Sequence, residues 1–199
     1  IGAGNNVVTV QLNQSGYPYL SRSSVPSGVR TVTERTRQQI EDISGAEEVS
    51  LYTSRNYSEQ VFYLNSQFNG EVYGIDTHYL SVYGYQVKNG RGFTESDYRN
   101  FRKVALVNTT TVNTLFGGQS PVGKAIELQG DVFTVVGVVA ISDDFTPTIN
   151  TINDYYLYAD TSSGSIYLPN SVWPTAYQFD EPQNVAIKVS NTDVMTTVG

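Results

Sequence analysis

Residues 103–141, KVALVNTTTVNTLFGGQSPVGKAIELQGDVFTVVGVVAI, restrict the possible folds more than any other stretch. KVALVN is a short β-branched run, and TTTVNTLF after it places Val112, Leu115 and Phe116 at helical spacing behind several possible caps. Gly117 and Gly118 stand where such a helix has to end. Beyond them AIELQ and DVFTVVGVVAI read as two strands joined by a Gln-Gly turn. A strand and helix that run at once into a hairpin do not build the repeated strand-helix-strand unit of a doubly wound sheet. The expected class is α+β.

The same stretch raises a question of chemistry. From Gly118 to Lys124 it fits the phosphate-loop spacing of a glycine, four residues and Gly-Lys, but the hydroxyl that would hold magnesium is replaced by Ala125. Such a loop follows a strand and opens a helix, so that helix amides point at the phosphate. Here the order is reversed, and VVGVVAISDD starts too soon after Lys124 for a crossover helix to intervene. The context argues against nucleotide binding.

The rest of the chain is punctuated by turns. VVTVQL at 7–12 reads as a strand, and a turn-rich loop leads to a helix with a capping-box pattern at Thr31 and Glu34, closed by Gly45. EEVSLYTS, SEQVFYLN and QFNGEVYGI follow as strand-type runs, THYLSVY as a short helix, and KNGRGFTESD as a turn-rich connection. YYLYA, SIYLPNSVWP and NVAIKVSN are later strand candidates, and the chain stops mid-pattern at DVMTTVG, as expected of a piece of a longer protein.

Composition narrows the function classes. With 12 basic against 19 acidic residues the net charge is -7, which argues against a nucleic-acid partner. No cysteine is present, so disulfides, thiolate metal sites and cysteine nucleophiles are all excluded. No apolar run approaches the roughly 20 residues of a membrane helix.

Catalytic patterns are scarce. His78 is the only histidine, and THYLSVY reads as an amphipathic turn that turns this ring to solvent. Asp143, Asp144, Glu95 and Asp97 are nominal carboxylates for glycoside hydrolysis, weighed against solvated loop or capping roles. Tyr73, Tyr79, Tyr83 and Tyr85 could form a sugar- or peptide-binding surface, but filling the rim of a core is the favoured reading. Trp173 beside Pro174 is read as packing rather than an interface anchor. No catalytic, cofactor-binding or metal residue is expected.

The order of these signals resembles a known family. YGIDTHYLSVYGYQVKNGRGFTESD, then KVALVNTTTVNTLFGGQSPVGKAIELQGDVFTVVGVV, are similar to the blocks of the MacB-like periplasmic core domain, the extracytoplasmic domain of MacB/FtsX-type ABC transporter permeases. The helix segment TVTERTRQQIEDISGAEEVS and the SIYLP and NVAIKV strands resemble it more loosely, while the loop before Thr31 and the Tyr-rich insertion at 153–163 depart from it.

The resemblance implies a βαβ-type porter subdomain at 1–55 and 165–199, with a small mixed α/β, Sabre-like subdomain inserted at 56–164. It makes Leu115 and Phe116 core anchors, with Gly117, Pro121 and Gly123 shaping the connection between helix and hairpin. It further implies a non-catalytic domain without cofactor, anchored by flanking membrane helices. Such a domain couples cytoplasmic ATP hydrolysis to export of antibiotics, peptides or toxins by mechanotransmission. The implied partners are a cognate ABC ATPase, a membrane-fusion-type adaptor and a second permease copy. A secreted carbohydrate- or peptide-binding module is the alternative.

Overall fold

The computed structural model describes residues 6–14, 17–18, 27–56, 58–142, 163–179, 181–191, 194 and 198. In chain order the elements begin with β1 (Val7–Val10), a two-residue ladder β2 (Asn13–Gln14) with β3 (Tyr17–Pro18), and α1 (Glu34–Glu41). β4 (Ala46–Arg55), β5 (Val61–Tyr63), β6 (Ser66–Gln67), β7 (Glu71–Ile75), α2 (Tyr79–Val82), β8 (Tyr85–Gly90) and α3 (Glu95–Arg99) follow. Next come β9 (Val104–Asn108), α4 (Thr109–Phe116), β10 (Ala125–Leu128) and β11 (Asp131–Ile141). Then β12 (Ser165–Pro169), a 3-10 turn (Asn170–Val172), α5 (Trp173–Ala176) and β13 (Asn184–Val189) complete the described elements.

One mixed sheet runs β1-β13-β4-β7-β12-β9-β11-β10-β5-β6, with β8 beside the second half of β11. Among the described strands β11 with β9 and β12 with β7 pair in parallel, and the other ladders are antiparallel. This is a mixed α/β fold with a few short helices. Three cores flank the sheet. α1, through Ile40, and Val32 just before its cap cover Val49, Leu51, Val185, Ile187 and Val189. α4 presses Leu115 and Phe116 onto Ile126, Phe133 and Leu168. α2 closes a tyrosine-rich core around Tyr167.

Local chemistry sets the boundaries. Asn108 caps α4 by accepting from the Thr111 N–H at 3.0 Å, and Gly117, at φ 61, ends it in a left-handed conformation that costs glycine nothing. The β10–β11 turn holds Gln129 and Gly130 at φ 54 and 82, the primed turn that suits the twist of a two-residue hairpin.

Some expectations are corrected. Thr33, not Thr31, caps α1, accepting from Thr36 N–H at 3.2 Å; Glu34 is then the first helical residue and pairs with Arg37 at 2.8 Å instead of closing a box. KNGRGFTESD is no mere connection, because it carries the end of β8 and all but the last two residues of α3. Thr94 and Asp97 make a reciprocal capping box at the start of that helix, a pattern visible in T-E-S-D. SEQVFYLN shrinks to three strand residues, since Leu64 at φ 52 turns the chain back into β6. The YYLYA strand candidate lies outside the described residues.

Gly137 sits at one of the tightest backbone approaches among the described residues. A Cβ there would stand 2.2 Å from the Arg91 carbonyl oxygen, where β8 joins β11 beside an irregular register with β9. Backbone cannot swing aside as a side chain can, so Gly137→Ala is expected to lose about 2–3 kcal/mol in urea unfolding, the upper range for overpacking.

Candidate functional site: two polar joints across the sheet

Among the described residues, two groups of polar side chains tie β4 to the segments packed beside it. β7 ends at Ile75, opposite Tyr52 of β4, so the Leu51 N–H beyond it has no strand acceptor on that side. Asp76 supplies one. Its Oδ2 accepts from Leu51 N–H at 2.7 Å, while Oδ1 accepts from the Ser50 hydroxyl at 2.8 Å and from the His78 and Tyr79 N–H groups at 3.0 Å each. Burial pushes this carboxyl above its ordinary pKa, against the downward pull of those hydrogen bonds and of His78. Glu48 reinforces the joint: its Oε1 lies 3.1 Å from His78 Nδ1 and its Oε2 accepts from the Ser81 hydroxyl at 2.6 Å. α2 is thereby tied to β4 at Glu48, Ser50 and Leu51.

The second joint lies at the other end of β4. Arg55 Nη2 donates to Glu181 Oε2 at 3.1 Å, and its Nε stands 3.0 Å from Oε1. The Trp173 indole N–H donates to the same Glu181 Oε2 at 2.7 Å. Arg55 also stacks over the Tyr177 ring at 4.9 Å, and the Tyr177 hydroxyl, pushed up to about 12 chiefly by burial, is hydrogen-bonded to Ser58. Gln129 Nε2 donates to Ser58 Oγ at 3.3 Å, bringing in the β10–β11 turn. The Glu181 side chain is 3% exposed and that of Arg55 15%, so the pair is desolvated. A desolvated pair with a third donor resists sliding of the elements it joins, because parting the charges leaves each unpaired in a poor solvent for ions.

Between the joints lies the tyrosine cluster. Tyr79 sits 5.1 Å from Tyr52 and 4.7 Å from Tyr83 between ring centres, and Tyr73 stacks on Tyr167 at 5.4 Å. Tyr83 donates to the Tyr52 hydroxyl at 3.3 Å, Tyr73 donates to Glu71, and burial raises all of these phenols. The packing reading holds at the rim for Tyr73 and Tyr85, which pack against the core, and is corrected for Tyr79 and Tyr83, which α2 and its end carry into the core itself.

The other sequence candidates separate. Leu115 and Phe116 are buried in the α4 core, Gly117 and Gly123 hold φ 61 and 84, and the buried Pro121 accepts from Lys124 N–H at 2.9 Å. Lys124 binds Gln119 at 3.1 Å and lies over the Tyr63 and Phe116 rings, and β10 rather than a helix begins at Ala125. His78 is not turned to solvent; its ring is engaged by Glu48 and its side chain is 34% exposed. Trp173 is buried as packing. Asp143 and Asp144 lie outside the described residues. Among the described residues no three His, Cys, Asp or Glu side chains gather to hold a metal, and no helix is long and apolar enough to cross a membrane.

Glu95 and Asp97 do not face each other as an acid and base. Glu95 pairs with Arg99 at 2.7 Å on the exposed side of α3, whereas Asp97 is fully enclosed, accepting from Arg91 at 2.6 Å and from Thr94 N–H at 2.8 Å. Burial opposes the Asp97 charge, but Arg91 and Thr94 together hold its pKa below the ordinary carboxylate value. The unfolded chain therefore binds this proton more readily. The stability from Asp97 is present above about pH 4 and is lost as pH falls through the lower folded value. Urea unfolding from pH 7 to pH 2 should show this loss, and Asp97→Asn should flatten it at a cost of about 1–3 kcal/mol at pH 7.

Sequence reasoning gave no role to Arg55 or Glu181, which lie 126 positions apart and share no local pattern. Asp76 did stand within the YGID run, but nothing local announces four donors converging on it.

The comparisons agree with this architecture. The sequence profile described as MacB-like periplasmic core domain matches residues 1–199. YvrN of Bacillus subtilis, named an uncharacterized ABC transporter permease, is 27% identical over 205 residues, covering 100% of this chain and 47% of that protein. The chain thus spans about half the length of such relatives. Among solved structures, the periplasmic region of MacB from Actinobacillus actinomycetemcomitans superposes with a TM-score of 0.65 at 23% identity, covering 98% of this chain and 81% of that one. The extracellular domain of the transporter YknZ from Gram-positive bacteria gives 0.61 at 20% identity, covering 85% and 79%.

Proposed function

Since the chain belongs to the MacB-like periplasmic core domain family over its whole length, we propose that it is the mechanotransmitting, non-catalytic part of an ABC transporter permease. That match is the observation on which the reading stands, and it makes the domain extracytoplasmic. The finer reading is that membrane helices flank it, that a cognate ATPase drives it from the cytoplasm, and that a second permease copy and a membrane-fusion-type adaptor complete the assembly. Its cargo would be an antibiotic, peptide or toxin.

On this reading residues 1–55 and 165–199 form the porter-like part and 56–164 the Sabre-like insertion. β12 is hydrogen-bonded to β7 and β9 of the insertion and serves as the seam. Leu115, Phe116, Gly117, Pro121 and Gly123 then act as a structural brace that fixes the β10–β11 hairpin to α4. The Asp76 joint crosses between these parts, as does the Ser58–Tyr177 hydrogen bond beside the Arg55–Glu181 pair, which itself lies within the porter-like part; these crossings let the domain move as one body.

The gene on either side of this segment tests the premise. Apolar spans of about 20 residues before it and after it are expected. A cleaved leader upstream and a soluble end downstream would instead favour a secreted binding module.

A further inference from the structure

Five buried side-chain atoms among the described residues have no hydrogen-bond partner: Thr53 Oγ1, Arg55 Nε, Ser171 Oγ, Glu181 Oε1 and Gln183 Oε1. All but Ser171 belong to the second joint or to residues beside it. Folded interiors rarely leave such atoms unpaired, because each has given up its hydration without return. Four in one place call for a common partner.

The backbone brings the four together. Thr53 and Arg55 are two apart on β4 and so point to the same face. Asn184 stands opposite Tyr52, which puts Gln183, one residue before β13, across from Thr53. On the other side of Thr53 lies Gly74, where a Cβ would meet both the Thr53 hydroxyl and Trp173 Cε3 at 2.6 Å. Trp173 in turn donates its indole N–H to Glu181, the partner of Arg55. The four side chains thus share one face of β4 beside the indole, with Thr53 6% and Glu181 4% exposed.

Their chemistry says what they need. Glu181 Oε1 and Gln183 Oε1 only accept, Arg55 Nε only donates, and the Thr53 hydroxyl does either. Arg55 Nε and Glu181 Oε1 are 3.0 Å apart but misaligned for a hydrogen bond, so each keeps unused capacity. A cation would suit the oxygens, but it would stand against the Arg55 charge. A small molecule that both donates and accepts suits all four.

We propose that the second joint holds an ordered water that bridges Thr53 and Gln183 to the Arg55–Glu181 pair. Its two hydrogens go to Glu181 Oε1 and Gln183 Oε1, and its lone pairs take Arg55 Nε–H and the Thr53 hydroxyl, within the two to four partners usual for a buried water. Thr53 and Gln183 are then positioning residues of the clamp, which they reach through the water.

Thr53→Val tests this by the sign of its effect. Valine removes the hydroxyl and nearly keeps the shape, and loss of a bridged hydroxyl lowers the thermal unfolding midpoint by roughly 3–6 °C. A buried hydroxyl without a partner destabilises the fold, so an unchanged or raised midpoint overturns the proposal. Gln183→Met is expected to act in the same direction, and the double variant loses less than the sum, because the two side chains are coupled through one water. Losses that simply add overturn it too. A crystal structure of the chain is expected to show water within hydrogen-bond distance of Thr53 Oγ1 and Glu181 Oε1, and density for none overturns the proposal whether or not the variants fold. Replacing sodium or potassium chloride with choline chloride leaves the midpoint unchanged; a midpoint that follows the alkali ion makes the occupant a cation and overturns the assignment to water.

Discussion

Glu181→Ala is expected to lower the free energy of unfolding by about 3–5 kcal/mol, the range for breaking a buried ion pair from one side. The loss is large because of what stays behind. Arg55 keeps its charge in a site where its side chain is 15% exposed, and the Trp173 indole N–H loses its acceptor. Arg55→Met with Glu181→Leu removes both charges together and should recover much of the loss, leaving mainly the orphaned indole donor. A double-mutant cycle read by urea unfolding checks this. Single-variant losses that merely add would show that the pair is not coupled and that the second joint does not clamp β4 to the α5 region.

How far the sequence disclosed this structure depends on the range of the interactions. The α4 helix, its glycine end and the β10–β11 hairpin were legible, because Asn108, Gly117 and the Gln129-Gly130 turn act within a few residues of themselves. α3 was equally local, and its Thr94–Asp97 box was in plain view. The turn signals of Asn89, Gly90 and Gly92 masked it, although Gly90 only ends β8 at φ 72. The tyrosines were visible as a group, but whether they face solvent or a core depends on where α2 is laid, which no spacing within 73–85 dictates. The joints were illegible for the same reason. Arg55 with Glu181, Asp76 with Leu51 and Glu48 with His78 are long-range pairs, and each partner alone reads as an ordinary surface charge.

Asp76→Ala should be the second severe variant, at about 3–5 kcal/mol, because four donors lose a charged acceptor together and such bonds exceed neutral ones. Asparagine cannot substitute cleanly. With its oxygen toward Ser50, His78 and Tyr79, its amide N–H points at the Leu51 N–H; turned over, it faces three donors with a donor. Asp76→Asn is therefore expected to lose about 1–3 kcal/mol.

The pH signature separates this carboxyl from Asp97. Burial raises the Asp76 pKa in the folded chain, so its contribution is greatest below the ordinary carboxylate value and declines as pH rises through the folded value, the opposite sign to Asp97. In the intact permease the milder Asp76→Asn variant, assayed below its unfolding transition, tests the mechanical reading. If the two parts of the domain must move as one body, ATP hydrolysis persists while export falls. Equal loss of both, or of neither, would make Asp76 a residue of stability alone and would remove this joint from the coupling path.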